Sequence, residues 1–173
     1  MKFYNGFSLK NEVHFFQEYL DDSAYCVCGF SYGAIKALSY VKEQLLMGNR
    51  VDRLQLLSPA FFQTKSSKFK KLQMSAYSKG SEKYLSSFIG ACFLPYKSKS
   101  IQHSENSLDE LNELLNYEWI KSDFVELESK GVKIEVYLGS EDKIIDIKSA
   151  REFFVDVSTL TYIKNANHFL QIN

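Results

Sequence analysis

Apolar residues along the chain follow two different spacings, which together predict strands that alternate with helices. Five short runs of apolar or alternating residues are typical of strands. They lie at residues 1–4 (MKFY), 24–28 (AYCVC), 51–57 (VDRLQLL), 133–138 (KIEVYL) and 160–163 (LTYI). Apolar residues at helical spacing predict helices over residues 11–20, 32–47 and 147–155. Because strands and helices alternate, the sheet is expected to be parallel, in an α/β fold.

The alternation stops between Pro59 and Lys130, where the sequence has helical character instead. We expect residues 1–173 to form a single domain, with residues 60–130 inserted in it as a helical lid. A stretch of this length between two strands of a small domain is usually functional.

Charge is unevenly distributed within residues 60–130. The first part is basic and contains Lys65, Lys68, Lys70, Lys71, Lys79, Lys83, Lys97 and Lys99 against the single acid Glu82. The second part is acidic and contains Glu105, Asp109, Glu110, Glu113, Glu118, Asp123, Glu126 and Glu128 against Lys121 and Lys130. Runs of one charge are often solvated helix faces that balance each other, and a docking surface is the alternative.

Composition narrows the class of protein. The chain has 173 residues, of which 45% are hydrophobic, enough for one domain with a core. Its formal net charge of zero argues against general binding to nucleic acid or to a membrane surface. The three cysteines, Cys26, Cys28 and Cys92, have no disulfide or C-x-x-C spacing, which fits a reducing compartment. Without a signal-peptide stretch or a bilayer-length apolar run, the protein is expected to be cytoplasmic.

The run CVCGFSYG at residues 26–33 places Ser31 between Gly29 and Gly33. The pattern G-x-S-x-G is typical of a nucleophile on a sharp turn from a strand into a helix, although so short a pattern also arises by chance. Glycines two residues before and after the serine allow the helix to leave the strand at close range. The alternative is an inert serine between two turn residues.

Two further residues follow strands in the positions that a nucleophilic serine requires. A serine hydroxyl needs a base to accept its proton and a third group to orient that base. Asp142 follows the strand at 133–138, and His168 follows the last strand. The carboxyl ends of parallel strands share one edge of the sheet, so Ser31, Asp142 and His168 are expected to converge there, in the chain order typical of α/β-hydrolases.

Alternatives remain for the acid and, less so, for the base. Glu141 and Asp146 lie close enough to Asp142 in sequence to replace it as the orienting acid. His14 and His103 do not follow a strand and are therefore poorer candidates than His168.

Two backbone N–H groups are candidates for an oxyanion hole. Tyr32 begins the helix after Ser31, so its N–H is free of helical partners and lies in the positive potential of the helix terminus. Phe7 follows the first strand in the sequence NGF, at the place where this architecture supplies the second donor.

The motifs FYNGF, GFSYG, LGSED and NANHF together resemble those of α/β-hydrolases. They are most similar to the short esterases of biotin synthesis that cleave pimeloyl-acyl carrier protein methyl ester, of the BioV type with the BioG type as a near relative. The resemblance covers nearly the whole chain and is least specific in residues 60–130. It implies a triad of Ser31, Asp142 and His168, an oxyanion hole that includes Phe7, and no metal or organic cofactor.

The resemblance also implies a partner. Acyl carrier protein is acidic, so a basic rim on the lid would steer it towards the site, with Lys65, Lys68, Lys70 and Lys71 as the expected contacts. Some apolar lid residues are then expected to line an acyl tunnel, from the set Phe61, Phe62, Leu72, Met74, Tyr77, Tyr84, Leu85, Phe88, Phe93 and Leu94.

The chain departs from the family pattern at its edges. The family usually has eight strands in the order 1-2-4-3-5-6-7-8, whereas this chain has segments equivalent to 3-5-6-7-8, which are neighbours in that order. The chain ends soon after His168, where the family adds a closing helix. One sheet face is therefore expected to be undercovered and buried in a homodimer. Two other functions stay open: a general esterase or thioesterase on small acyl groups, and a non-catalytic carrier-binding module.

Overall fold

Five parallel strands form the central sheet of the protein, and the computed structural model describes all 173 residues. The strands in chain order are β1 (Lys2–Tyr4), β2 (Leu9–Lys10), β3 (Cys26–Phe30), β4 (Arg53–Leu57), β5 (Gln102–His103), β6 (Lys133–Gly139) and β7 (Thr159–Ile163). The sheet has the order β1-β3-β4-β6-β7, and each neighbouring pair is parallel. The five predicted strands and the parallel α/β sheet are therefore confirmed.

The helices lie between the strands. They are α1 (Tyr32–Leu46), α2 (Ser67–Lys79), α3 (Ser81–Phe93), α4 (Leu108–Asn116), α5 (Lys121–Ser129) and α6 (Ile147–Phe154), with a short 3-10 helix at Glu12–Phe16. Of these, α2 to α5 lie between β4 and β6. No helix combines the length and the apolar character that crossing a bilayer requires.

The predicted helix over residues 11–20 is wrong, because the structure has only the 3-10 helix there. Asn11 starts it in the left-handed region, at φ 65°. Beyond Phe16 the chain makes one more turn bond, from the N–H of Tyr19 to the carbonyl of Phe16 at 2.8 Å, and the side chain of Gln55 then takes over. The buried Gln55 amide donates to the carbonyl of Tyr19 at 2.8 Å and accepts the N–H of Asp21 at 3.0 Å. A tertiary contact therefore overrides the helical spacing of the sequence.

A small antiparallel ribbon was also not predicted. It pairs β2 with β5, with Leu9 opposite His103 and Lys10 opposite Gln102. Two-residue strands carry no readable periodicity in the sequence. The ribbon joins the segment after β1 to the segment between α3 and α4.

The two faces of the sheet are covered differently. On one face, α1, α4, α5 and α6 bury a large apolar core, and α5 contributes Phe124 and Leu127 directly to it. On the other face, Phe16, Phe93 and Phe169 cover the carboxyl half of the sheet. The opposite half of that face is polar. The homodimer that was expected to bury an undercovered face stays a prediction.

The polar side chains in that half of the face pair with one another. Glu135 is 7% exposed and accepts hydrogen bonds from Arg53 at 2.6 Å and from Gln55 at 3.0 Å. It also lies 2.7 Å from the Lys133 ammonium. Burial by itself would raise the pKa of the Glu135 carboxyl, but the hydrogen bonds from Lys133, Arg53 and Gln55 outweigh burial and hold it below its ordinary value.

Candidate active site

Ser31 sits on a strained turn between β3 and α1. Its backbone has φ 52° and ψ −115°, a conformation that a residue with a side chain rarely adopts. The turn is held from both sides, because the N–H of Ser31 donates to the carbonyl of Leu57 at 2.9 Å and its own carbonyl accepts N–H groups from Ala34 and Ala60. Strain of this kind, maintained by surrounding hydrogen bonds, is typical of a nucleophile on a strand-to-helix turn.

The two glycines around Ser31 are required by close backbone contacts. A Cβ on Gly29 would overlap the carbonyl oxygen of Gly33. A Cβ on Gly33 would overlap the carbonyl oxygens of Tyr4 and Asn5. The second contact brings the start of α1 against the segment after β1, which carries Phe7. The predicted role of both glycines in close approach therefore has a direct geometric basis.

Ser31, His168 and Asp142 form a continuous hydrogen-bonded chain. The Oγ of Ser31 lies 3.0 Å from Nε2 of His168. Nδ1 of the same ring lies 2.6 Å from Oδ2 of Asp142. The three residues are 3%, 0% and 5% exposed respectively, so the chain is shielded from solvent. In this arrangement, the imidazole can accept a proton from the hydroxyl while the carboxylate stabilises the resulting imidazolium.

Asp142 is oriented by the backbone that follows it. Its Oδ1 accepts the N–H groups of Ile144 at 2.8 Å and Ile145 at 3.3 Å. These bonds leave Oδ2 free to face His168. The turn after β6 therefore fixes which carboxylate oxygen contacts the imidazole.

The other candidate acids have different partners. The carboxylate of Glu141 pairs with the ammonium of Lys143 at 2.9 Å. The carboxylate of Asp146 caps α6 through the N–H of Ser149 and accepts the hydroxyl of Thr64 at 3.0 Å. Of the three acids considered from the sequence, only Asp142 contacts a histidine.

The other histidines lie outside this chain of hydrogen bonds. Nδ1 of His14 lies 2.6 Å from the carbonyl oxygen of Asn11, on the exposed side of the 3-10 helix. His103 is exposed on β5. Neither makes a hydrogen bond or an ion pair with a serine or an acid.

Two positioning residues near His168 were missed by the sequence reasoning. A Cβ on Gly139 would overlap the carbonyl oxygens of Ala166 and Asn167, so glycine lets the end of β6 meet the turn that carries His168. Asn167 spans that turn, since its amide donates to the carbonyl of Phe93 at 3.0 Å and its oxygen accepts the N–H of Phe169 at 3.0 Å. The available signals were the glycine of LGSED and the asparagine before the histidine, both typical of turns.

We expect Gly139→Ala to lower the free energy of unfolding by about 2–3 kcal/mol, because the new methyl group meets backbone that cannot move aside. The two turns would be pushed apart, so any reaction that Ser31 and His168 carry out together is expected to slow as well. Thermal unfolding and a turnover assay measure both effects. The matched control is Gly90→Ala within α3, where a Cβ meets no atom within 4 Å and stability is expected to rise by up to about 1 kcal/mol.

The two candidate oxyanion donors come from different segments, the loop after β1 and the first residue of α1. Phe7 is 2% exposed, and its N–H donates to no acceptor in the protein. Tyr32 is the first residue of α1, so its N–H has no partner within the helix. The two rings pack edge to face with centroids 6.3 Å apart.

The acidic part of the inserted segment, residues 101–130, pairs with α1. The hydroxyl of Tyr32 donates to Glu113 at 2.5 Å, and burial, with the carboxylate second, raises its pKa. Lys36 pairs with Glu110 at 3.0 Å, and Lys42 pairs with Asp123 at 2.8 Å. These acids therefore attach the segment to the body of the protein.

The basic part has no such partners. No acid lies within ion-pair distance of the predicted contact lysines Lys65, Lys68, Lys70 and Lys71. The two charged parts consequently do not neutralise each other through ion pairs. The result is an unpaired basic surface on and just before α2.

An apolar pocket of about 600 Å³ lies between α2, α3 and α4. From the set predicted to line a tunnel, Phe62, Leu72, Tyr84 and Phe88 line it. Ile144, whose N–H donates to Asp142, also lines it. The volume lies within the range of small-molecule sites, which are about 300–1,000 Å³.

No family model matches the sequence, and no curated protein matches it either. Solved structures do share the fold. A hydrolase from Oleispira antarctica has a TM-score of 0.65 at 10% identity, over 98% of this chain and 84% of that one. The esterase EaEST from Exiguobacterium antarcticum has a TM-score of 0.58 at 15% identity, over 79% of this chain and 56% of that one. BioG from Haemophilus influenzae has a TM-score of 0.56 at 13% identity, over 97% and 87%.

The chain spans little more than half the length of two of the structures that it matches, 56% of EaEST and 54% of a hydrolase from Bacillus subtilis. Together with the strand order of the sheet and the strained turn at Ser31, these likenesses show that the chain has the α/β-hydrolase fold. The predicted fold class is confirmed.

Proposed function

We propose that this protein is a serine carboxylesterase that hydrolyses the methyl ester of pimeloyl-acyl carrier protein, releasing methanol. The observation that carries the esterase activity is the hydrogen-bonded chain from Asp142 through His168 to Ser31. The resemblance of its motifs to those of the short biotin-pathway esterases supports the choice of substrate. Structural likeness to a BioG and to carboxylesterases is consistent with it.

The reaction follows from the geometry. The Oγ of Ser31 attacks the ester carbonyl carbon while Nε2 of His168 accepts its proton. The N–H groups of Phe7 and Tyr32 stabilise the negative oxygen of the tetrahedral intermediate. That intermediate collapses by breaking the bond to the methoxy group, which leaves as methanol with the proton from His168. Water then attacks the acyl-enzyme by the same route and restores the Ser31 hydroxyl.

The pocket and the charged surface support an acyl chain delivered by a carrier. The pocket between α2, α3 and α4 is mostly apolar and would bury the methylene chain. The basic surface of Lys65, Lys68, Lys70 and Lys71 lies on and just before α2, one of the helices that line the pocket, and would attract an acidic carrier protein.

The direct test is mass spectrometry of pimeloyl-acyl carrier protein methyl ester incubated with the protein. The expected result is the loss of one methyl group with the wild type, and no change with Ser31→Ala. Cleavage of the thioester to the carrier instead would favour the general thioesterase. No reaction, and no labelling of Ser31 by a fluorophosphonate, would favour a non-catalytic carrier-binding module.

Docking through the lysines predicts a substrate-dependent salt effect. Raising the ionic strength is expected to slow turnover of the carrier-bound ester, because it screens attraction between exposed charges. A small soluble ester needs no carrier contact and should change little. Equal salt effects on both substrates would contradict the docking surface.

Charge reversal tests the same surface by residue. Lys70→Glu combined with Lys71→Glu is expected to raise KM for the carrier-bound ester by about tenfold and to leave the soluble ester unaffected. The matched control is Lys148→Glu, an exposed and unpaired lysine on α6.

A further inference from the structure

Glu12 is an unusual residue to find inside this protein. It is 0% exposed, in the 3-10 helix that follows β2. One carboxylate oxygen, Oε1, accepts the N–H of Gly6 at 2.6 Å. The other oxygen, Oε2, is buried and has no hydrogen-bond partner.

Stability does not explain this arrangement. A buried carboxyl with an unpartnered oxygen destabilises a fold relative to an apolar side chain of similar size. Burial raises the pKa of the Glu12 carboxyl above its ordinary value, although the bond from Gly6 and the nearby His14 oppose the shift. We therefore expect Glu12 to act through the hydrogen bond that its Oε1 accepts from the N–H of Gly6.

That bond controls a peptide beside the reaction centre. The N–H of Gly6 is held by Glu12, and the carbonyl of Gly6 accepts the N–H of Leu9 at 3.2 Å. Both peptide units that flank Gly6 are thereby fixed. The carbonyl of Gly6 and the N–H of Phe7 belong to the same peptide unit. In a trans peptide these two groups point in opposite directions, so the N–H of Phe7 points away from Leu9. This is the N–H that donates to no acceptor in the protein.

We propose that Glu12 is a positioning residue of the oxyanion hole, which orients the Phe7 N–H by holding the peptide before it. The inference rests on the proposed ester hydrolysis at Ser31. A charged acceptor suits this task because a hydrogen bond to a carboxylate is stronger than one to a neutral group. The loop is then rigid before substrate arrives, as transition-state stabilisation requires.

The test compares Glu12→Ala, Glu12→Gln and a control. The control is Glu135→Ala, which removes another buried carboxyl that is hydrogen-bonded on the far half of the sheet. Each variant is assayed for kcat and KM on p-nitrophenyl butyrate, for thermal unfolding, and for the affinity of butylboronic acid. That acid forms a tetrahedral adduct with an active-site serine and therefore reports the oxyanion hole without turnover.

We expect Glu12→Ala to lower kcat by about 100-fold with little change in KM, because the loss falls on the transition state. Butylboronic acid should bind more weakly by a similar factor. Glu12→Gln retains an acceptor oxygen, so its kcat is expected to be about tenfold higher than that of Glu12→Ala. Its melting temperature at pH 7 should be no lower than that of the wild type. Glu135→Ala should lose stability without losing kcat.

Other results would overturn the proposal. One is a Glu12→Ala protein with wild-type kcat and boronate affinity, whatever its melting temperature. If Glu12→Ala fails to fold, a Glu12→Gln protein with wild-type kcat and boronate affinity would overturn it equally. A wild type that hydrolyses no ester but binds the boronate in a Glu12-dependent way would refute the proposed function alone. A wild type that does neither would refute both.

Discussion

Ser31→Ala is expected to lower kcat for ester hydrolysis by about 10⁴- to 10⁶-fold, the largest effect of any single substitution in this protein. The hydroxyl is the atom that attacks, and no other serine contacts His168. Alanine and serine adopt φ 52° at similar cost, so the fold should persist. Turnover of a soluble ester and labelling by a fluorophosphonate both measure the loss.

Ser58→Ala is the matched control for this experiment. Ser58 is also buried, also follows a central strand and also has a positive φ, of 40°. Its hydroxyl has no hydrogen-bond partner, so it makes no hydrogen bond to the imidazole. We expect activity close to that of the wild type. Substantial turnover by Ser31→Ala, or equal losses in the two variants, would disprove nucleophilic catalysis by Ser31.

Asp142→Asn is expected to lower kcat by about 10⁴-fold. In the wild type, Oδ1 accepts N–H groups from Ile144 and Ile145 while Oδ2 faces His168. An asparagine must keep its oxygen at the first position to retain those bonds, which turns its NH₂ group towards Nδ1. The imidazole would then carry its proton on Nε2 and could not accept one from Ser31.

The neighbouring acids provide the controls for Asp142. Glu141→Gln and Asp146→Asn are each expected to keep kcat within a few-fold of the wild type, because their carboxylates bind Lys143 and the start of α6 instead. Steady-state kinetics at neutral pH distinguish the three variants. A larger loss in either control than in Asp142→Asn would assign the orienting role to that acid.

Sequence reasoning identified which side chains meet in the site. This was possible because their positions depend on the topology of the sheet more than on packing. Ser31, Asp142 and His168 each follow a parallel strand, and the carboxyl ends of such strands share one edge. Short apolar runs separated by helical spacing were sufficient to locate those strands. The glycines around Ser31 were equally readable, since the motif itself specifies their spacing.

The 3-10 helix and the charged segment were less predictable from the sequence. Residues 11–20 have helical spacing, yet the side chain of Gln55 captures the backbone at Tyr19 and Asp21. The acids of residues 101–130 read as a solvated run, yet several of them pair with α1. In both cases the partner is distant in sequence, and local pattern carries no information about it.

The sequence by itself determined the parallel α/β architecture, the strained turn at Ser31 and the order of the residues that converge on it, because these follow from periodicity and from spacing along the chain. Only the tertiary structure decided which acid contacts His168, why Gly139 has no side chain and where the buried carboxyl of Glu12 binds. Each of these depends on a contact of a few ångströms between distant segments, and such contacts exist only after the chain has folded.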